Sequence, residues 1–242
     1  MTAFLRFPVR RVEANAVPID RRAWPATIPA VQQLLSEGLD LGRATVLVGE
    51  NGAGKSTLVE AVAIAYGLSP EGGSPNTLHA TRPSESQLHE HLTLVRNGGS
   101  GRFGYFLRAE TMHGVFTYLE QVGSSPYGPP DPRFHEISHG ESFLALLRSR
   151  FAGTGLWVLD EPESALSFSG CMALLAHLVD LLEDDRNQVL LSTHSPLLAG
   201  LPGADVLEVG EHGLRRTRWE DTDLVQQWRA FLAAPRAFLR HL

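Results

Sequence analysis

The chain has 242 residues, of which 43% are hydrophobic and 20% are charged, as in an ordinary soluble globular protein with enough length to bury a sizeable core. The formal net charge of −6 argues against a uniformly basic protein that coats nucleic acid, although a local basic patch stays open. The single cysteine, Cys171, excludes an internal disulfide, and its apolar surroundings favour a buried small residue over a nucleophile.

Three N-terminal arginines, Arg6, Arg10 and Arg11, interrupt the short apolar stretches that a signal peptide would need. No run approaches the roughly 20 apolar residues of a membrane span. The sequence therefore predicts a cytoplasmic protein with no direct membrane insertion, for which any link to a membrane would need a partner protein.

The first element with a clear chemical signal is an apolar run at 44–48, which predicts a strand leading into a phosphate-binding loop. Glycines in such a loop let backbone N–H groups surround phosphate oxygens, while Lys55 reaches the β- and γ-phosphates and Ser56 offers a hydroxyl to Mg²⁺. A helix beginning near Lys55 adds its positive dipole end. The predicted ATP-binding residues are Gly49, Asn51, Gly52, Ala53, Gly54, Lys55, Ser56 and Thr57.

The middle of the chain alternates between loops and apolar runs. Segments rich in Ser, Pro and Gly predict loops at 69–87, 97–101 and 124–132, and an apolar run predicts a strand at 103–107. The next strand, 156–160, is continuously apolar before Asp160, as expected for a central strand buried on both faces.

Two adjacent carboxylates end that strand. Asp160 is predicted to hold Mg²⁺ through water, and Glu161, directed to the other side of an extended chain, to polarise the attacking water. The competing interpretation is a solvated charge pair. A crossover helix at 171–182 then leads to a strand at 188–193, after which His194 could contact the γ-phosphate or serve a structural role.

The C-terminal region predicts a hairpin of strands 205–209 and 214–218 around the turn 210–213, followed by helices at 222–233 and 235–241. The whole pattern predicts an α/β fold of the P-loop NTPase type, with a mostly parallel sheet flanked by helices. We expect one domain over 1–242, with a short helical or loop insertion at about 111–137 and the C-terminal hairpin and helices at about 204–242.

These motifs resemble the ABC-class ATPases, the cassette shared by transporters, structural-maintenance-of-chromosomes proteins and overcoming-lysogenization-defect nucleases. The resemblance covers Gly49 to Ser195 and is closest to compact stand-alone ATPases of this class. It implies a dimer-facing loop at 163–166 and a switch histidine at His194. It also implies catalytic roles for Lys55, Glu161 and His194 in ATP hydrolysis.

A signature sequence of that family, Leu-Ser-Gly-Gly-Gln, caps the γ-phosphate bound by the opposite subunit, and residues 137–141 are similar to it. The resemblance implies nucleotide contacts by Ser138, Gly140 and Glu141 at the start of a helix over 142–150. His139 and Glu141 depart from the pattern, and Glu141 brings no amide donor where the family has one.

The family's glutamine loop has the weakest counterpart. Glu110 stands in the expected place, where a carboxylate could bind Mg²⁺ as a third metal ligand beside Ser56 and Asp160. Gln87 is the rival residue. Trp24 or Phe7 could stack on adenine, although either could simply pack in the core.

Residues 135–139 also fit the zinc motif H-E-x-x-H. Because prolines stand upstream at Pro129, Pro130 and Pro132 and Gly140 follows, a helix carrying both histidines is disfavoured, and the signature interpretation is preferred.

The resemblance implies a Mg²⁺-dependent ATPase whose two copies close head to tail around ATP. The stretch between Glu110 and Ser138 is too short for a long coiled-coil arm.

One client class is DNA-linked or defence-linked switching, which predicts a basic patch. Its candidate residues are Arg215, Arg216, Arg218, Arg236 and Arg240. The alternative is the nucleotide-binding subunit of a membrane transporter, and an ATP-gated scaffold with slow hydrolysis also stays open.

Overall fold

The computed structural model describes residues 6–70, 73, 86–98, 101–108 and 153–240. The strands are β1 Val9–Ala14, β2 Leu39–Asp40, β3 Ala44–Val48, β4 Leu92–Arg96, β5 Gly104–Arg108, β6 Leu156–Asp160, β7 Gln188–Ser192, β8 Asp205–Gly210 and β9 Gly213–Thr217. The α-helices are α1 Pro29–Glu37, α2 Lys55–Tyr66, α3 Phe168–Leu181, α4 Pro196–Ala199, α5 Asp223–Ala233 and α6 Pro235–Leu239. Single turns of 3₁₀ helix span Gln87–His91, Pro162–Ala165 and Trp219–Asp221.

The central sheet has six strands in the order β5-β6-β7-β3-β8-β9. Every neighbouring pair is parallel except the hairpin β8–β9. This confirms the predicted mostly parallel sheet. It also brings the carboxyl ends of β3, β6 and β7 to one edge, which is where parallel α/β sheets bind ligands.

Both faces of this sheet are covered, which explains the continuously apolar strands. In β6, Leu156 and Val158 pack into a core shared with α1 and α2, whereas Trp157 and Leu159 pack into a second core shared with α3 and α4. Successive strand residues point to opposite faces, so a strand buried on both sides needs apolar residues at every position.

A second sheet, of antiparallel strands in the order β2-β1-β4, was not predicted from the sequence. The buried amide of Gln188, at the start of β7, joins it to the central sheet. Its Oε1 accepts from the Val9 N–H at 2.8 Å, and its Nε2 donates to the Val9 carbonyl at 2.6 Å and to the Gly42 carbonyl at 2.8 Å. One side chain therefore satisfies backbone groups from two separate segments.

Several predicted boundaries shift by one to three residues. The strand placed at 103–107 is Gly104–Arg108, the strand placed at 188–193 ends at Ser192, and the crossover helix begins at Phe168. That helix starts early because the Ser167 hydroxyl accepts the Gly170 N–H as an N-cap. The C-terminal helices are Asp223–Ala233 and Pro235–Leu239, with Thr222 capping the first of them.

Candidate functional site

The phosphate-binding loop follows β3 and ends where α2 begins at Lys55, as predicted. Two glycines show why the loop needs this residue type. Gly49 has a φ of 148°, and a Cβ there would meet the Val209 carbonyl oxygen at 2.1 Å. Gly54 has a φ of 101° at the N-cap of α2, a conformation that side-chain-bearing residues rarely adopt. The loop is thus a cradle of backbone N–H groups at a helix N-terminus, which fits an anionic phosphate.

Lys55 is folded back over this loop and is only 3% exposed. Its Nζ donates to the carbonyls of Gly49 and Glu50, at 3.1 Å each, and lies 2.8 Å from His194 Nε2. Burial lowers the pKa of the Lys55 ammonium, while the charges of nearby carboxylates oppose that shift. The ammonium is therefore held against the loop by acceptors that a phosphate oxygen could replace.

Asp160 closes β6 beside the loop and is 5% exposed. Burial raises the pKa of its carboxyl above the ordinary value. Hydrogen bonds with the Ser192 and Ser56 side chains and the charge of Arg108 oppose this rise only in part. The Ser192 hydroxyl donates to Asp160 Oδ1. A carboxylate beside the Ser56 hydroxyl supplies hard oxygen ligands, so these residues fit Mg²⁺ bound together with a nucleotide.

Glu161 does not continue the extended chain, which corrects the conformation expected from the sequence. β6 ends at Asp160, and Glu161 has a φ of 48° and a ψ of 49°, in the left-handed region that costs a residue with a Cβ about 1 kcal/mol or more. Its N–H donates to the Ser192 carbonyl at 3.0 Å. The turn directs its carboxylate to His194, whose Nε2 lies 3.2 Å from Glu161 Oε1.

Glu163 has a role that the sequence did not reveal. The resemblance implied a dimer-facing loop at 163–166, and the structure adds that Glu163 Oε1 accepts the backbone N–H of His194. This hydrogen bond joins the 3₁₀ turn after Glu161 to the segment after β7. It holds the backbone from which the His194 imidazole extends. Only the carboxylate-rich spacing 160–163 hinted at it in the sequence.

The structure brings together Lys55, Ser56, Asp160, Glu161 and His194, which the sequence had placed on separate elements. Other predicted contacts lie outside the described residues: Ser138, Gly140, Glu141 and Glu110, and the 135–139 motif with them. Gln87, the rival of Glu110, is exposed and opens a 3₁₀ turn that leads into β4, so the stretch around it is more regular than expected. No cluster of three or more potential metal-binding side chains occurs within the described ranges.

A cleft of about 750 Å³ extends from the phosphate loop toward β8 and α5. Its lining includes Ile28, Pro29, Val209 and His212, and its acidic residues are Glu50, Glu208, Glu211 and Asp223. Neither aromatic expected to stack on adenine belongs to this lining: Phe7 is buried at 5% exposure, and Trp24 is 62% exposed elsewhere.

Three of the five C-terminal arginines expected to form a basic patch are paired with carboxylates. Arg215 is paired with Glu208, Arg216 with Asp205, and Arg218 with Glu220. Since each of these three guanidinium groups is beside a carboxylate, they leave little positive potential for a phosphate backbone.

The sequence profile of the family described as ABC transporter matches residues 33–164 of this chain. The chain belongs to that family of ATPases. ATP hydrolysis is the family's activity, as the sequence had indicated. A shorter match, over residues 142–200, is to a family described as an AAA domain of a Type IV toxin–antitoxin system.

Two relatives illustrate the similarity. The chain is 32% identical over 197 residues to the cytochrome c biogenesis ATP-binding export protein CcmA of Rhizobium etli, covering 75% of this chain and 88% of that protein. It is 32% identical over 168 residues to the thiamine import ATP-binding protein ThiQ of Vibrio cholerae, covering 63% of this chain and 69% of that protein.

Among solved structures, an inward-facing metal-chelate type ABC transporter aligns with a TM-score of 0.50 and 18% identity, covering 93% of this chain and 89% of its own. That likeness supports the fold. None of the helices in the described segments has the length and apolar character needed to cross a membrane.

Proposed function

We propose that the chain binds ATP with Mg²⁺ at the phosphate loop and hydrolyses it, with Lys55, Glu161 and His194 as the catalytic side chains. The observation that carries this assignment is that His194 Nε2 lies 2.8 Å from Lys55 Nζ and 3.2 Å from Glu161 Oε1. These three groups come from α2, the turn after β6 and the segment after β7, and they meet where a γ-phosphate would extend from the loop.

Each residue has a separate task in this proposal. Backbone N–H groups of residues 49–57 hold the phosphates, and Lys55 pairs with their charge. Glu161 accepts a proton from the attacking water, and His194 donates to the transferred phosphoryl group. Ser56 and Asp160 would hold Mg²⁺, which supplies positive charge to the β- and γ-phosphate oxygens when it is bound.

The cleft beside the loop is our candidate for the base and ribose. Ile28 and Pro29 offer apolar contact and His212 a planar ring, whereas the exposed carboxylates of Glu211 and Asp223 suit ribose hydroxyls better than phosphates. The polyphosphate therefore points toward Lys55 and away from these carboxylates.

We also propose that two copies close head to tail around ATP, with Ser138 and Gly140 of each copy contacting the nucleotide held by the other. The support is the resemblance of residues 137–141 to the family signature.

For the client, we favour the ATP-binding subunit of a membrane transporter over a DNA-linked switch. The relatives are named as import and export ATP-binding proteins, and three of the five C-terminal arginines that a nucleic-acid patch would need are paired with carboxylates. The match of residues 142–200 to a toxin–antitoxin ATPase keeps a defence-linked switch as the second candidate.

Hydrolysis is tested by phosphate release from the purified chain with Mg-ATP. Glu161→Gln should slow turnover by roughly 100-fold or more, because loss of a positioned general base costs this much. Glu183→Gln, which neutralises a carboxylate outside the site, is the matched control and should keep wild-type turnover. Equal rates for Glu161→Gln and wild type would refute the assignment of the base.

The client is tested separately. A transporter subunit should co-purify with an integral membrane protein when membranes are solubilised in detergent. Stimulation of turnover by double-stranded DNA, without such co-purification, would favour the second candidate.

A further inference from the structure

A buried arginine stands beside the proposed metal carboxylate. Arg108 is the last residue of β5 and lies in register with Asp160 on the neighbouring strand. Its Nε is 3.7 Å from Asp160 Oδ2, and its Nη1 is 2.6 Å from Oε2 of Glu60. The side chains of Arg108, Glu60 and Asp160 are 17%, 7% and 5% exposed, so all three charges lie largely away from water.

Glu60 holds the guanidinium from the side of the phosphate loop. It lies in α2, the helix that begins with Lys55, and its Oε1 also accepts the Ser86 N–H at 3.2 Å. Of these two carboxylates, Glu60 is the closer to Arg108, while the contact with Asp160 is longer and mainly electrostatic. Arg108 bridges the helix of the phosphate loop to the strand that carries Asp160.

A guanidinium carries its charge at every physiological pH, and at this distance in a poorly solvated site its field acts strongly on a neighbouring ion. Any divalent cation at Asp160 must approach the same carboxylate that Arg108 already faces. The Glu60 carboxylate offsets part of that positive charge. The two residues therefore act on a metal ion in opposite directions.

We infer that Arg108 is a positioning residue that competes with Mg²⁺ for Asp160. It thereby sets the Mg²⁺ concentration that nucleotide binding requires, and the charge of Glu60 opposes its effect. Before nucleotide arrives, Arg108 offsets part of the Asp160 charge in place of the metal. When the metal is bound, Glu60 keeps the guanidinium away from it. This inference rests on the proposed assignment of Asp160 and Ser56 to the metal.

The test measures equilibrium binding of a fluorescent methylanthraniloyl ATP to the purified chain, titrated with MgCl₂ and repeated in EDTA. Arg108→Met should lower the Mg²⁺ concentration for half-maximal binding by roughly fivefold or more, because a repelling charge is removed. Glu60→Gln should raise it by a similar factor, since the negative charge that Glu60 places beside Arg108 is then removed. Arg108→Lys, which keeps the charge, should stay near the wild-type value.

Opposite shifts separate this role from simple structural damage, because damage at either residue would weaken binding in both variants. Arg96→Met is the matched control: Arg96 also contacts α2, but at its far end, where the guanidinium lies 4.2 Å from the centre of the Tyr66 ring. It should leave the Mg²⁺ requirement unchanged. Thermal unfolding of each variant checks that it is folded.

The outcomes distinguish a failure of the proposed metal site from a failure of the role inferred for Arg108. If wild-type binding does not depend on Mg²⁺, the metal site itself is wrong and the inference falls with it. If wild-type binding depends on Mg²⁺ but Arg108→Met and Glu60→Gln shift it in the same direction or not at all, the metal site stands and Arg108 does not compete for it. Should Arg108→Met fail to fold, Arg108→Lys and Glu60→Gln still decide, since only the second should raise the requirement.

Discussion

Lys55 Nζ lies 2.8 Å from His194 Nε2, and the same imidazole nitrogen lies 3.2 Å from Glu161 Oε1. An ammonium can only donate and a carboxylate can only accept, so the one nitrogen cannot hydrogen-bond both partners at once while the imidazole is neutral. With Lys55 in place, Nε2 accepts from it. If a phosphate draws Lys55 away, Nε2 becomes able to carry a proton toward Glu161 or the phosphate.

The first prediction concerns Lys55, which is the only lysine in the 242-residue chain. Lys55→Ala should weaken ATP binding roughly 10- to 100-fold, because a charge-assisted hydrogen bond to the phosphates is lost and no other lysine can replace it. Titration calorimetry measures the change. Arg186→Ala removes an exposed charge remote from the loop and serves as the control. Wild-type affinity in Lys55→Ala would show that the phosphates bind elsewhere.

Lys55 also gives a pH-dependent prediction. Because burial lowers the pKa of its ammonium, a larger fraction is the neutral, nucleophilic amine at a given pH than for an ordinary lysine. The rate at which an amine-reactive reagent modifies Lys55, followed by peptide mass spectrometry, should therefore level off at a lower pH than for a free lysine peptide. ATP should protect it. A profile that rises like that of the peptide would contradict the shift.

We expect a substitution of Asp160 to stabilise the folded protein even though it removes a proposed functional side chain. Since burial raises the pKa of its carboxyl above the unfolded value, the folded protein binds the proton more tightly, and the free energy of unfolding falls as pH rises through that interval. Asp160→Asn removes the buried charge while keeping the shape. The nucleotide-free variant should unfold at a higher temperature at pH 7, by roughly 2–4 °C for each kcal/mol gained.

The matching measurement is differential scanning calorimetry at several pH values without nucleotide. The gap between Asp160→Asn and wild type should narrow as pH falls, because the wild-type carboxyl then becomes neutral as well. A gap that is constant, or of opposite sign, would show that the ionised carboxylate is not destabilising in the free protein.

We expect a substitution of Gln188 to change the stability of the fold through its buried hydrogen bonds. Gln188→Leu leaves the Val9 N–H and the Val9 and Gly42 carbonyls without the buried amide that satisfies them, so unfolding should become easier by about 2–4 kcal/mol. Urea denaturation measures this. Gln226→Leu, on the exposed face of α5, should change stability by less than about 0.5 kcal/mol. A similar small change in Gln188→Leu would mean that the two sheets are joined by other contacts.

His212 tests the assignment of the base cleft. His212→Ala should weaken ATP binding by roughly fivefold or more, since stacking on a base contributes roughly 1–3 kcal/mol, yet leave the binding of inorganic tripolyphosphate unchanged. Competition against the fluorescent nucleotide measures both affinities. Equal losses for both ligands would indicate a general effect on the loop and not a contact with the base.

Sequence patterns located the parts of the site that depend on local chemistry. The glycine loop, the strand ending at Asp160 and the strand before His194 lie where they were predicted, because buried parallel strands and tight glycine turns leave strong signals. The sheet β2-β1-β4 was missed, since its short strands are only partly apolar and pair across long separations. The left-handed turn at Glu161 was also missed, because tertiary contacts impose it against the residue's own preference.

Sequence patterns also do not reveal contacts between residues that are distant in the chain, as is the case for Arg108, Glu60 and Glu163. Each contacts the site through a partner distant in the chain: Arg108 through Asp160, Glu60 through Arg108, and Glu163 through the backbone of His194. A charged residue at a strand end or within a helix is common on protein surfaces. Only strand order and register reveal that these three lie beside the proposed nucleotide site.

The most direct test of the account is the solution mass of Glu161→Gln, measured by light scattering with and without Mg-ATP. We predict a monomer without nucleotide and a dimer with Mg-ATP, because ATP held in a slowly hydrolysing site would join two copies through Ser138 and Gly140. Lys55→Ala should remain monomeric in both conditions. A Glu161→Gln chain that binds ATP and stays a monomer would contradict the shared site.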